Sequence, residues 1–338
     1  MTRGGARADA TAFPGAFFPI HVKLINESAC EFLPAGLCAG GTKVFKSGYV
    51  AIIGAPNVGK STLLNQLLKQ KISITAPKPQ TTRNRILGIL TTSDSQMIFM
   101  DTPGIHKAQD EFNRGLVETA LSALGEADAV LFMIEPEGAF RPTNEFIMRN
   151  LLRIQTPVIL VINKVDTLRN KGDLLALIQG YKDRLDFKAI IPVSALSGEQ
   201  TGDILAEVVG LLPEGPQYYP EEYITDQPER FFVGELIREK IFHLVHQEIP
   251  YAVAVIIDKF SEIPEKNLIE IFGTVNVERE SQKAIIIGKG GQMLKEIGKQ
   301  ARMEIETFLG CHIYLDLFVR VQKNWRKDPR ATVEFGYR

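Results

Sequence analysis

Short, mostly apolar runs recur through the middle of the chain, at 49–53, 85–90, 96–100, 129–134, 158–162 and 189–193. Between them lie stretches with apolar residues at helical spacing, near 60–69, 111–124, 143–153, 171–184 and 199–212. Runs such as AVLFMI and VILVI carry no polar alternation, which predicts strands buried on both faces of a mainly parallel sheet. The strand–helix alternation predicts an α/β, doubly wound domain over 48–213. The runs at 85–90 and 96–100 follow one another across the polar turn Thr91–Ser95, so a hairpin and one antiparallel edge strand are expected.

The pattern changes after Pro213. PEGPQYYPEEYITDQPER has four prolines and little periodicity, and reads as a linker over 214–230. A small α+β unit follows over 231–322. FFVGELIREKIFHLV reads as an amphipathic helix, and AVAVIIDKF and LIEIFGTVNVE as a strand pair. AIIIGKGGQMLKEIGKQARMEIETFLG reads as a glycine-broken turn and a long helix, and HIYLDLFVRVQK as a last strand. Residues 323–338 read as a basic tail. Residues 1–47, interrupted by Pro14, Pro19 and Pro34, read as a disordered extension without a signal-peptide core.

Composition narrows the partners. A length of 338 residues suits about two domains. Cys30, Cys38 and Cys311 show no C-x-x-C spacing, so plain thiols in a reducing cytoplasm are expected rather than a disulfide framework. No apolar run is long enough to span a membrane. The net charge is only −1, but from Ser281 onward eleven Lys and Arg stand against six Asp and Glu. A basic terminal module on a near-neutral chain is the footprint of a nucleic-acid binder, or else a solvated helix face.

The chemistry starts at the first run. YVAII leads into G-x-x-x-x-G-K-S and then an apolar helical pattern, which is a phosphate loop in its strand–loop–helix setting. Gly54, Ala55, Pro56, Asn57, Val58, Gly59, Lys60, Ser61 and Thr62 are assigned to the nucleotide. Glycines let backbone N–H groups approach the phosphates, Lys60 reaches the β- and γ-phosphates, and the Ser61 hydroxyl sits on Mg²⁺. The run 96–100 ends in Asp101, Thr102, Pro103 and Gly104, a D-x-x-G whose Asp holds Mg²⁺ through a water and whose Gly N–H faces the γ-phosphate. The run 158–162 ends in N-K-x-D, that is Asn163, Lys164 and Asp166. The Asp166 carboxylate accepts from the ring N–H and the exocyclic amine of guanine; adenine leaves it unpaired, a difference of roughly 10⁴-fold in sites built this way. Ser194, Ala195 and Leu196 close the last strand and offer backbone to the base carbonyl. All four boxes fall at carboxyl ends of strands, where open α/β sheets bind ligands. GTP is the expected nucleotide.

Between the loop and D-x-x-G, KISITAPKPQTTRNR lacks periodicity. Thr82, with Thr81 as its rival, is the expected Mg²⁺ ligand of a loop that closes on the triphosphate and releases on GDP. Ile105 stands where signalling GTPases carry a water-orienting Gln, and no catalytic base is assigned.

The order GAPNVGKS, QTTRNR, DTPG, NKVD and SAL resembles translation-factor-related GTPases. With PQTTR, IIIGKGG and the ending YLDLFVRVQKNWRKDP, residues from about 48 to 330 resemble the Era family of ribosome-assembly GTPases. The resemblance implies a type II KH domain after 231, with Gly288, Lys289, Gly290 and Gly291 as the loop that clamps RNA backbone. It further implies binding near the 3′ end of 16S rRNA, a role in 30S subunit maturation, a monomeric cytoplasmic protein and peripheral contact with the inner membrane. In related GTPases an Asn at the position of Asn57 helps hold K⁺ beside the phosphates, and that role is expected here. The competing expectation is an RNA-binding protein that does not switch, whose nucleotide site serves only structure.

Overall fold

A computed structural model describes residues 44–76, 78, 81–106, 111–245 and 248–337. The expected disordered extension lies outside the described residues up to 43. Its last two residues belong to β1 (Lys46–Gly54), which starts earlier than the apolar run suggests because Lys46 and Ser47 pair with Ser95 and Gln96.

The first unit is one six-stranded sheet. Its strands are β1, β2 (Ile86–Thr91), β3 (Ser95–Asp101), β4 (Ala129–Ile134), β5 (Val158–Ile162) and β6 (Phe187–Pro192), in the order β2-β3-β1-β4-β5-β6. Every pairing is parallel except the β2–β3 hairpin at the edge. Helices α1 (Lys60–Leu68) and α5 (Thr201–Leu211) lie on the face that buries Val50, Ile52, Leu63 and Val208. Helices α2 (Glu111–Glu126), α3 (Pro142–Leu151) and α4 (Lys171–Tyr181) lie on the face that buries Ala51, Ile53, Ala120 and Ile147. Covering both faces is why the strands show no polar alternation.

The stretch 214–230 is pinned along the sheet. The buried Gln96 carbonyl accepts from the N–H groups of Tyr218 at 2.8 Å and Tyr219 at 3.0 Å, and its amide donates to the Tyr219 carbonyl at 2.8 Å. The Ile89 N–H, on the edge strand, donates to the Ile224 carbonyl at 2.8 Å. An edge that would otherwise invite another chain is thereby covered.

The second unit runs α6 (Glu229–Leu244), β7 (Ala254–Ile263), β8 (Leu268–Val277), α7 (Glu280–Ile287), α8 (Gln292–Leu309) and β9 (His312–Val321). Its sheet order is β7-β8-β9, antiparallel then parallel. Three expectations change here. Helix α6 is not amphipathic: Val233, Ile237 and Ile241 bury into the second unit's core, Phe232 into the first's, and even Arg238 and Glu239 are buried. It is covered on opposite sides because it is the wall between the two units. The stretch before GKGG is a helix rather than a turn, opened by Gln282, whose side-chain carbonyl accepts the N–H groups of Glu278 and Arg279 at 2.9 and 3.1 Å. The basic tail is a folded cap: Trp325 is fully buried, its indole N–H donates to the Ala252 carbonyl at 2.9 Å, and α9 (Pro329–Glu334) brings Phe335 and Tyr337 against it.

Candidate functional site

The phosphate loop leaves β1 at Gly54 and enters α1 at Lys60. Gly59 has φ 97°, and a Cβ there would sit 2.3 Å from the Asn163 amide nitrogen, so both backbone and space require glycine. Asn57 is also left-handed, at φ 63°. Lys60 is buried and donates to the carbonyls of Gly54 and Ala55 at 3.3 and 3.0 Å. Burial pulls its pKa down to about 8, against the attraction of Asp101. A cation held this dry is stabilised by an incoming polyphosphate. Val58 packs into the core, and Thr62 stands in the first turn of α1.

Asp101, fully buried at the end of β3, gathers hydroxyls. Its Oδ2 accepts from Ser61 at 2.7 Å, Ser73 at 2.8 Å and Thr82 at 3.5 Å, and Ser61 and Thr82 lie 2.8 Å apart. Burial pushes its pKa up; Ser61, Lys60, Ser73 and Thr82 pull it back. Its other oxygen, Oδ1, is buried without a protein partner. The rival Thr81 turns its hydroxyl to the Lys78 carbonyl at 2.7 Å, away from this cluster. The Thr102 hydroxyl is spent on the Ile52 carbonyl at 2.8 Å, and Pro103 is buried beside it. Gly104 crosses the loop so closely that a Cβ would lie 2.8 Å from the Pro56 Cα. The next N–H, of Ile105, donates to the Gly54 carbonyl at 3.1 Å, while the Ile105 side chain is fully buried in the core.

At the base end, Asn163 ties three boxes together. Its amide donates to the Val58 carbonyl at 2.7 Å, and its carbonyl accepts the Ala195 N–H at 2.9 Å. Asn163 thus ties the 194–196 turn, expected beside the base, to the phosphate loop. Buried Ser194 accepts from the Ser197 N–H at 3.3 Å, and Leu196 is 81% exposed beside it. Lys164, in the left-handed region, pairs with Glu135 at 2.5 Å. Asp166 sits exposed in a 3₁₀ turn just after β5.

On the second unit, Gly288, Gly290 and Gly291 all have positive φ, and Lys289 is exposed between them. The loop ends at the first turn of α8, whose N–H groups and dipole favour an anionic group. Exposed Ile285 and Phe318 lie on α7 and on the neighbouring β9.

A family model described as 50S ribosome-binding GTPase matches residues 49–164, and a KH domain model matches 248–326. The chain is 51% identical to GTPase Era of Syntrophus aciditrophicus strain SB over 300 residues, covering 88% of this chain and 98% of the relative. This chain belongs to the Era family of GTPases. A second Era relative, from Geotalea uraniireducens, is 50% identical over 87% of this chain and 99% of its own. Two solved Era structures superpose with a TM-score of 0.84, at 44% identity and over 87% of this chain and 99% of theirs. One holds MgGDPNP and nucleotides 1506–1542 of 16S ribosomal RNA, and the other is a variant of the Aquifex aeolicus protein bound to GDP·AlF4⁻. The α+β unit of this Era-family chain is therefore a KH domain, and its reaction is GTP hydrolysis.

Three parts of this Era-family site are not visible in the motifs. Ser73 joins the Asp101 cluster from outside every box, and Glu135 braces Lys164. The third is the segment carrying Thr82, which is bound to the KH side. The Thr75 N–H donates to Glu239 at 2.8 Å, and Lys71 pairs with Glu239 at 2.6 Å and with Glu304 of α8. Lys78 reaches the carbonyls of Phe242 and Val245, and Arg238 donates to the Thr81 carbonyl. Arg83 is fully buried: its guanidinium donates to the carbonyls of Val253 at 2.6 Å, Tyr251 at 2.9 Å and Pro250 at 3.2 Å, among the rings of Phe112, Trp325 and Tyr337. Isolated cations in a polar loop give no sequence signal for such long-range pairing.

Proposed function

We propose that this Era-family GTPase is a GTP-driven RNA-binding switch of small (30S) subunit assembly, gripping RNA near the 3′ end of 16S rRNA through Gly288–Gly291. The observation that carries the switch is the adjacency of Thr82 and Arg83. One reaches the Asp101 cluster at the nucleotide site, and the next is buried among KH-side carbonyls. A change in where Thr82 sits must load the interface that Arg83 holds. The RNA assignment draws on the 44%-identical Era structure holding 16S nucleotides and on the left-handed glycines ahead of α8.

The site fits Mg²⁺. Its donors are hard oxygens, one carboxylate and the Ser61 and Thr82 hydroxyls, and the buried Asp101 Oδ1 has unspent acceptor capacity. Among the described residues no cluster of three or more His, Cys, Asp or Glu offers an alternative metal site. When bound, Mg²⁺ neutralises phosphate charge and polarises the phosphoryl group being transferred. Ser61 and Thr82 would ligate it directly and Asp101 through water. Lys60 and the N–H groups of Asn57 to Ser61 bind phosphates, Gly104 meets the γ-phosphate, and Asp166 reads guanine while Asn163, Lys164 and the 194–196 turn hold its surroundings. The buried Ile105 side chain cannot position water, so further charge is needed. Asn57, held left-handed at the loop's tip, is the proposed K⁺ ligand. Replacing Na⁺ by K⁺ should raise GTP turnover about tenfold or more if the cation stabilises transition-state charge. Equal rates in the two salts would remove Asn57 from this role.

The working picture is a monomeric cytoplasmic protein with peripheral contact to the inner membrane. No helix among the described residues is long and apolar enough to cross a membrane. The deciding test for the RNA assignment is Gly290→Asp. Gly290 has φ 60° with open space around a Cβ, so the change adds strain and a negative charge without a clash. Crosslinking to 16S RNA should drop to background while GTP affinity stays within about twofold. Unchanged crosslinking would place the RNA elsewhere.

A further inference from the structure

We propose that Ser73 is a positioning residue for the metal-binding carboxylate, fixing the orientation of Asp101 in both the diphosphate and the triphosphate state. The proposal rests on the reading that Asp101 and Ser61 hold Mg²⁺. Of the hydroxyls that meet Asp101 Oδ2, those of Ser61 and Thr82 belong to nucleotide boxes. A hydroxyl that ligates a cation turns an oxygen lone pair toward it, so those two change roles when the metal arrives. Ser73, at 2.8 Å and 2% exposed, has the carboxylate as its bonding partner and no metal to serve.

What makes Ser73 independent of the switch is the way its backbone is held. Asn65, on the helix that opens with Lys60 and Ser61, donates its amide to the Ser73 carbonyl at 2.7 Å. Its side-chain carbonyl accepts the N–H groups of Ile72 at 3.0 Å and Ser73 at 2.9 Å. Ser61 and Ser73 are thereby mounted on one rigid element, α1, and both reach the Asp101 carboxylate from it. Thr82 reaches the same oxygen from nine residues further along the chain, at the longer distance of 3.5 Å. Partners that orient a ligating carboxylate carry much of a metal site's affinity, commonly about 10–100-fold when removed. Ser73 is the side chain of this cluster that can do so without leaving when nucleotide or metal comes and goes.

The test uses the full chain and a fluorescent GDP analogue, with affinity measured in EDTA and in excess Mg²⁺. In the parent chain the ratio of the two reports the metal's contribution; a ratio of one would overturn the Mg²⁺ reading itself. Ser73→Ala should keep the EDTA affinity and lose about tenfold of the Mg²⁺-dependent gain. Ser73→Thr, which keeps the hydroxyl, should restore the gain, and Ser73→Val, of the same shape as Thr without it, should not. A parental Mg²⁺ gain in the Ala and Val variants, or an equal loss in EDTA and Mg²⁺, would overturn the positioning role.

Discussion

Asp166→Asn should weaken GTP binding on the order of 10⁴-fold and convert the site to xanthosine triphosphate. Asp166 is exposed, in a turn anchored by Asn163 and by the Lys164–Glu135 pair, none of which the change touches. Guanine brings two donors to it. An amide in its place offers one acceptor and one donor, and the donor then faces a guanine N–H. Xanthine carries a carbonyl where guanine has its amine, and matches the amide. Folding stability should stay within about 0.5 kcal/mol because the side chain is solvated. Direct calorimetric titration with GTP and with xanthosine triphosphate measures both affinities, and a variant that still prefers GTP would remove Asp166 from base recognition.

Arg83→Ala should detach the two domains from one another. The change leaves the carbonyls of Pro250, Tyr251 and Val253 without their donor and opens a cavity between Phe112, Trp325 and Tyr337. Leaving buried acceptors without a donor costs about 1–3 kcal/mol each, so a loss of about 3–5 kcal/mol is expected. Scanning calorimetry should show the midpoint falling by about 10 °C or the transition splitting into two. RNA affinity, which GTP and GDP modulate in the parent chain on the proposed reading, should become insensitive to the nucleotide. Arg83→Lys should not rescue either property, since a point charge cannot reach three carbonyls held in a fork geometry. A single transition at the parental midpoint would mean that the interface is held elsewhere.

Much of the fold and site is legible in the sequence, and the residues show why. The mainly parallel sheet follows from apolar runs whose burial on two faces forbids alternation, and the hairpin follows from the short turn between β2 and β3. The nucleotide boxes are legible because each works through local geometry: Gly59 and Gly104 are glycines because a Cβ would strike Asn163 and Pro56. What stays hidden is long-range. The periodicity of α6 cannot say that a second domain covers its other side. Trp325, Phe335 and Tyr337 read as a tail because the surface they bury belongs to other elements, Phe112 of α2 among them. Ser73 and Arg83 look like ordinary loop residues until the chain brings Asp101 and the 250–253 carbonyls to them.

The aromatic cap has a consequence in time. Arg83 and Tyr337, which share its last hydrogen bond, are separated by 254 residues. At about 5–20 residues per second, a ribosome extends the chain for on the order of 10–50 s between them. During that interval the GTPase sheet can close around Arg83 and Phe112, yet for most of it the guanidinium lacks the KH-side carbonyls, and until its end it lacks the Tyr337 ring. A nascent chain can thus hold nucleotide before its nucleotide state has anything to control. On the proposed reading, control over RNA begins only once Tyr337 has left the ribosome and closed over Arg83.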